Sequence, residues 1–129
     1  MREHSTPRLL GAVLCRGKSE IETFDVLIAP QPGLSVPRGA VARADLTAAI
    51  FLEGGHGIYA LTWSLVGENF HTTLESETLN WPDGEVVHAL YTHVVMRVEF
   101  PQEGIYRLVF LCDGFPLADL GFLVEFSGH

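Results

Sequence analysis

Six histidines occur among the 129 residues, and imidazole is a common zinc ligand. Four of them lie within the body of the chain, at His56, His71, His88 and His93. A strand presents two ligands on one face when they are two residues apart, and no two of these histidines have that spacing. Scattered surface histidines are therefore the favoured interpretation, and the sequence predicts neither a metal nor any other cofactor.

Acid–base catalysis by two carboxylates requires that they are held near each other in a cleft. Glu75 and Glu77 are candidates, but their place in an alternating strand predicts a solvated outer face. The G-x-S-x-G motif that exposes a serine nucleophile on a turn is absent from the sequence. Ser64 lies within a predicted strand. The Gly54–Gly57 segment lacks the lysine and the following helix of a phosphate-binding loop. The sequence predicts that the chain is not an enzyme; a hydrolase using Glu75 and Glu77, or a histidine metal site, is the remaining enzymatic hypothesis.

The two cysteines, Cys15 and Cys112, are too few for a disulfide framework, and their spacing matches no zinc motif. Cys15 is predicted to be a small buried side chain. Cys112 stands beside a turn, so partial exposure is expected for it. No sequence neighbour marks either thiol as activated.

Three aromatic residues form a candidate platform on which a sugar could stack: Trp81 in a turn, Tyr91 on an outward strand face, and Phe115 at a hairpin tip. Trp81 has an alternative, purely structural interpretation, because an aromatic residue before a proline turn often covers the end of a core. Tyr59 and Trp63 share the parity of neighbouring leucines and are assigned to the core. A carbohydrate- or small-ligand-binding module is thus one functional hypothesis.

The charge balance is acidic, with 8 Lys+Arg against 16 Asp+Glu and a formal net charge of -8. No basic run occurs, which disfavours binding to nucleic acid or to an anionic membrane surface. The apolar run Leu9–Cys15 is short for a signal peptide. No apolar run approaches the roughly 20 residues that cross a bilayer. A cytoplasmic location is predicted.

Apolar and polar residues alternate along most of the chain, which is typical of half-buried strands. Turn residues separate the alternating segments at nearly regular spacing, and no amphipathic helix is apparent. The prediction is an all-β sandwich of about eight mostly antiparallel strands in two sheets. One domain spans residues 9–126, after a flexible segment 1–8 and before a tail 127–129. Before the final hairpin, the predicted strands are Leu9–Cys15, Ile21–Ala29, Val41–Phe51, Ile58–Val66, Phe70–Leu79 and Val86–Phe100, the last being one long strand or two strands with a bulge.

The stretch Phe100–Phe126 predicts a closing β-hairpin. A three-residue loop, Cys112–Gly114, keeps the apolar residues of both strands in phase and sets Arg107 opposite Asp119. The inward side chains are then predicted to be Tyr106, Leu108, Phe110, Ala118, Leu120, Phe122 and Val124.

The other face of the hairpin is also apolar, which is unusual outside parallel sheets. It carries the row Val109, Leu111, Leu117 and Leu123. Two explanations stay open: the row is a self-association surface of a homodimer, or the proline-rich connection Pro30–Gly39 covers it.

Three segments resemble a family of small bacterial immunoglobulin-like β-sandwich domains of unknown function. They are AVLCRGKS from Ala12, ETFDVLIAP from Glu22, and FPQEGIYRLVFLCDGFPLADLGFLV from Phe100. The resemblance spans Leu10 to Phe126, implies an immunoglobulin-like fold, and provides no catalytic residues. With no reactive constellation found, a non-enzymatic protein-interaction or assembly module is the main functional prediction.

Overall fold

The computed structural model describes residues 6–16, 25–26, 33–37, 42–82 and 87–127. Every regular element in these ranges is a β-strand, which confirms the all-β prediction. Within them, no helix is long and apolar enough to span a membrane. In chain order the strands are β1 (Arg8–Arg16), β2 (Asp25–Val26), β3 (Gly33–Pro37), β4 (Ala42–Glu53), β5 (Ile58–Gly67), β6 (Phe70–Asn80), β7 (Ala89–Phe100), β8 (Gly104–Cys112) and β9 (Phe115–Ser127).

The strands form two sheets. A four-stranded sheet has the order β2-β1-β4-β7, and a five-stranded sheet has the order β3-β9-β8-β5-β6. All pairs are antiparallel except β3 with β9, which is parallel. The core lies between the sheets, because each alternating strand buries its apolar face. Its largest fully buried side chains include Leu46, Ile50, Leu52, Met96 and Val98 from one sheet and Tyr59, Leu61, Leu65, Leu108 and Phe110 from the other.

The hairpin turn differs from the prediction. Cys112 pairs with Phe115, so the loop has two residues, Asp113 (φ 51°) and Gly114 (φ 79°). Two successive positive φ values are what a tight hairpin with the native strand twist requires. The register then shifts by one residue at Leu117, which is a β-bulge, and Phe110 pairs with Ala118. The predicted three-residue loop is therefore wrong, because the bulge brings the two strands into phase.

The inward side chains of the hairpin are nevertheless those predicted, since the bulge precedes Ala118 and the alternation of β9 is regular from there on. Tyr106 and Phe122 are directly paired and both buried. Arg107 lies opposite Gly121, and its Nη1 reaches diagonally to Oδ2 of Asp119 at 2.6 Å. The predicted charge pair thus forms between diagonal neighbours on the outer face.

The described part of the proline-rich segment is strand β3, at the edge of the five-stranded sheet. Its Leu34 and Val36 are buried, and Pro37 ends it. Proline is compatible with an edge because no ladder hydrogen bond is lost there. β3 widens the sheet beside β9 and does not lie over the outer face of the hairpin. Of the predicted strand Ile21–Ala29, only Asp25–Val26 lies within the described residues.

Candidate ligand groove

Among the described strands, each sheet has an edge strand on the same side of the molecule. β6 is the last strand of the five-stranded sheet and β7 is the last strand of the four-stranded sheet. A groove of about 580 Å³ lies between these two edges. Its lining residues are Phe70, Thr72, Thr73 and Leu74 from β6 and Arg97, Glu99, Phe100 and Pro101 from β7 and the turn after it.

The floor of the groove is apolar and continuous with the core. Phe100 is only 2% exposed, and its ring lies 5.1 Å from the ring of Tyr106 in an edge-to-face contact. Phe70 contacts the same tyrosine edge-to-face at 6.3 Å and is half-buried. Tyr106 is fixed by its hydroxyl, which donates to the carbonyl of Gln102 at 2.6 Å. The floor therefore packs directly on a core side chain that is itself hydrogen-bonded.

The charged groups beside the groove are already paired. Arg97 Nε lies 3.5 Å from Asp45, and Arg43 donates to Glu99 at 2.9 Å. The same holds for the other two arginines whose side chains are described, since Arg8 pairs with Glu53 and Arg107 with Asp119. All four arginines whose side chains are described therefore have a carboxylate partner, and none of them stands unpaired beside the groove as a site for an anionic ligand.

A second bulge changes the faces of β6. Trp63 pairs with Glu75 and Ser64 pairs with Thr73, which leaves Leu74 as the extra residue. Glu75 and Glu77 therefore stand on the side of the strand that faces the core, opposite Trp63 and Leu61. Both are exposed because β6 is an edge strand. Their predicted solvation is confirmed, whereas their predicted outer face is wrong.

Trp81 covers one end of the core and does not offer its ring to solvent. It is 4% exposed, its indole N–H donates to the Val87 carbonyl at 2.9 Å, and its ring meets Tyr59 edge-to-face at 6.5 Å. Gly55 passes so close that a Cβ there would lie 2.0 Å from the indole ring. The structure thus agrees with the structural interpretation of Trp81, in which it covers the end of the core.

Tyr91 and Phe115, the other predicted platform residues, lie elsewhere. Tyr91 is on the outer face of the four-stranded sheet, next to Phe51 and His93. Phe115 is 63% exposed at the tip of the hairpin in the other sheet. No ring contact joins Trp81, Tyr91 and Phe115 among the described residues. Phe51 was missed from the sequence, although an aromatic residue at an outward position of its strand was the available signal.

The predicted self-association row is interrupted. Leu117 is the bulge residue, so it turns inward and packs against the core. Val109 and Leu111 are half-buried. Leu123 is 41% exposed and pairs with Ile105, which is 70% exposed and was not singled out from the sequence. Ile105 and Leu123 are thus the most exposed large apolar residues described on this face.

Among the described side chains, the reactive ones do not assemble into a centre. Cys112 is fully buried, contrary to the partial exposure expected, and burial together with the neighbouring Asp113 raises the pKa of its thiol to about 11. The side chain of Cys15 lies outside the described residues. The histidines predicted to scatter, His56, His71, His88 and His93, are all exposed. In the described ranges no three metal-ligating side chains come together.

No protein-family model matches the chain, and no curated protein matches it. Among the solved structures similar to it is the alkylpurine DNA glycosylase AlkC of Pseudomonas fluorescens, bound to DNA containing an abasic-site analogue. The similarity has a TM-score of 0.45 and 10% sequence identity, and it covers 72% of this chain. The chain spans only 27% of the glycosylase chain, and likeness at this level assigns no activity to it.

The matched protein is an enzyme bound to DNA, which contradicts two predictions from the sequence but assigns neither property to this chain. One is that the chain is a non-enzymatic protein-interaction or assembly module. The other is that its partner is a protein or a second copy and that nucleic acid plays no part. Neither is retained. The prediction that the chain is not an enzyme gains no support from the comparison.

Proposed function

We propose that the protein binds an uncharged, largely apolar small molecule in the groove between β6 and β7. The observation that carries the proposal is the apolar floor of Phe70, Leu74 and Phe100 in an opening between two sheets. The groove volume, about 580 Å³, falls in the range of roughly 300–1,000 Å³ common for ligand pockets.

Polar groups around the floor would orient the ligand. Thr72 and Thr73 supply hydroxyl groups, and an edge strand also leaves alternate backbone N–H and C=O groups without a ladder partner. Arg97 is paired with Asp45 and Glu99 with Arg43, which supports a ligand without charge. A few hydrogen-bonding groups around an apolar surface are what fixes the orientation of a ligand in most pockets.

Filling the groove tests the proposal. Thr72 is half-buried and pairs with the buried Leu65, so Thr72→Trp places an indole in the groove. Thr78→Trp is the matched control, because Thr78 is exposed on the same strand and pairs with Ala60 on the outer face. Amide ¹H–¹⁵N spectra would be recorded with a panel of neutral aromatic and aliphatic fragments.

The expected result is that some fragments give saturable shifts at Phe70, Leu74 and Phe100 in the wild type and in Thr78→Trp. The same fragments should give none in Thr72→Trp. Shifts that persist in Thr72→Trp, or a panel that leaves these amides unmoved, would overturn the proposal. A labelled single-stranded oligonucleotide is added as a second probe, and saturable binding to it through the same residues would replace the small molecule as the ligand.

We also propose that the two sheets are arranged as in the immunoglobulin fold. Strands β5, β8 and β9 lie side by side, as strands C, F and G do in that fold, and Trp63 on β5 is buried against Phe110 at 4.7 Å. Tyr106 near the start of β8 donates its hydroxyl to a backbone carbonyl four residues upstream, as a tyrosine corner does. Membership of the small bacterial family, the single domain 9–126 and a cytoplasmic location stay predictions.

A further inference from the structure

A row of three rings crosses the outer face of the four-stranded sheet. Phe51 on β4 stands directly opposite Tyr91 on β7, with ring centroids 5.0 Å apart. His93, two residues further along β7, stacks on Tyr91 with centroids 5.6 Å apart and planes at 25°. These three residues are the aromatic row. It lies on the opposite side of the four-stranded sheet from the core.

Core packing does not account for the row. Ile50 and Leu52, the neighbours of Phe51, are fully buried on the inner face, whereas Phe51 is 40% exposed. His93 is also exposed, and Tyr91 between them is half-buried. On the other side of Phe51, β1 places Gly11 opposite it, so no side chain from that position covers the ring. The two ends of the row are therefore open to solvent.

The chemistry of the row selects a class of ligand. Aromatic faces carry negative charge density and attract electropositive C–H groups. The imidazole of His93 has one donor and one acceptor nitrogen when neutral, which suits hydroxyl groups. Arg97, further along the same face of β7, is already paired with Asp45, and the chain as a whole is acidic. A ligand with apolar C–H faces and neutral hydroxyl groups fits all three properties.

We infer that the aromatic row binds a neutral carbohydrate, with Phe51 and His93 making the contacts and Tyr91 holding both rings in place. Val95 follows on the same face of β7 and is 40% exposed, so the apolar strip continues past His93. From Tyr91 to Val95 the strand advances roughly 13 Å at its usual rise. That strip is longer than one sugar ring, which favours an oligosaccharide. This site is separate from the groove between β6 and β7 and does not depend on it.

Binding of neutral oligosaccharides tests the inference. Gluco-, manno- and xylo-configured hexasaccharides would be titrated by calorimetry and by amide ¹H–¹⁵N spectra. At least one should bind saturably and shift the amides of Phe51, Tyr91 and His93. Phe51→Ala and His93→Ala are each expected to weaken that binding at least tenfold. Phe115→Ala is the matched control, because it removes another exposed ring, 63% exposed, from the other sheet and should leave affinity unchanged.

Several outcomes would overturn the inference. They are the absence of saturable binding for all three sugars at millimolar concentration, and undiminished affinity in both Phe51→Ala and His93→Ala. A loss in Phe51→Ala counts only if its denaturation midpoint matches that of the wild type, and His93→Ala, at an exposed position, supplies the second measurement. Saturable binding of a single-stranded oligothymidine at the row, with no sugar bound, would replace carbohydrate with nucleic acid. None of these results bears on the groove.

Discussion

Replacing Trp81 with alanine tests whether this residue closes the core rather than meeting a ligand. The indole is 4% exposed and makes one hydrogen bond to the Val87 carbonyl, so the variant leaves both a cavity and an unpaired carbonyl. Trp→Ala changes in a core cost about 3–5 kcal/mol. Against a typical stability of about 5–15 kcal/mol, the variant should remain folded at 25 °C with a much lower midpoint.

Gly55 provides a sharper test of the same contact. A Cβ at this position would lie 2.0 Å from the indole, so Gly55→Ala should cost about 1–3 kcal/mol in the wild type. With Trp81 replaced by alanine the obstacle is gone, and Gly→Ala is then neutral or stabilising by about 0.4–1 kcal/mol through the unfolded chain. The double-mutant cycle should therefore give a coupling of about 1–4 kcal/mol.

Urea denaturation of the four proteins measures this coupling, provided that the m-values agree. Gly54→Ala is the matched control, because its φ of 73° makes alanine strained while nothing lies within 4 Å of the added Cβ. Its cost should be the same with and without Trp81. If the effects of Gly55→Ala and Trp81→Ala are additive within about 0.5 kcal/mol, Trp81 does not pack on Gly55 and the account of the core end is refuted.

Three further predictions concern other parts of the molecule. Cys112 should resist thiol reagents in the folded protein at pH 8. The pKa of its thiol is raised to about 11 in the folded protein. Its contribution to the free energy of unfolding is therefore present below pH 9 and is lost as the pH rises toward 11. The free energy of unfolding of Cys112→Ala should lack this dependence on pH. Glu75→Val with Glu77→Val removes inward-pointing charges from an edge strand and should cause self-association in sedimentation experiments. The Arg107–Asp119 pair is half exposed, and its double-mutant cycle should give only about 0.2–1 kcal/mol, reduced by salt.

Each of these three has an outcome that contradicts it. Rapid modification of Cys112 without unfolding would show that the thiol is accessible. A Glu75→Val, Glu77→Val variant that stays monomeric would mean that backbone geometry and not charge protects the edge. A coupling above about 2 kcal/mol between Arg107 and Asp119 would mean that the pair is desolvated.

The core could be predicted from the sequence because alternation is a local property. Each residue on β5 and β8 that was assigned inward, such as Leu61 or Phe110, is buried. Both strands are central in their sheet, so one face must meet the other sheet whatever the topology is. The alanine-rich β4 is a strand for the same reason, since Ala48 and Ile50 face the core at period two.

The bulges could not be predicted in this way. One extra residue, at Leu74 or at Leu117, reverses the face of everything beyond it, and only the packing of the completed sheet decides where it lies. This is why Glu75 was assigned to the wrong face. The groove depends on which strands end each sheet, a consequence of pairing between residues far apart in the chain. No local pattern carries that information.

The hairpin turn allows the two registers to be distinguished by measurement. In the two-residue loop both Asp113 and Gly114 have positive φ, and Asp113 Oδ1 also accepts a hydrogen bond from the amide of Ala60 at 2.7 Å. Asp113→Ala should therefore cost about 1–3 kcal/mol, from the left-handed backbone and the lost bond together. Asp113→Asn should cost much less, because asparagine tolerates this conformation and keeps an acceptor oxygen. In a three-residue loop only Gly114 would need positive φ, so Asp113→Ala would lose little more than one exposed hydrogen bond. Denaturation measures the free energy of unfolding of Asp113→Ala and Asp113→Asn, with Gly114→Ala measured for comparison. Equal losses for the two Asp113 variants would refute the two-residue turn.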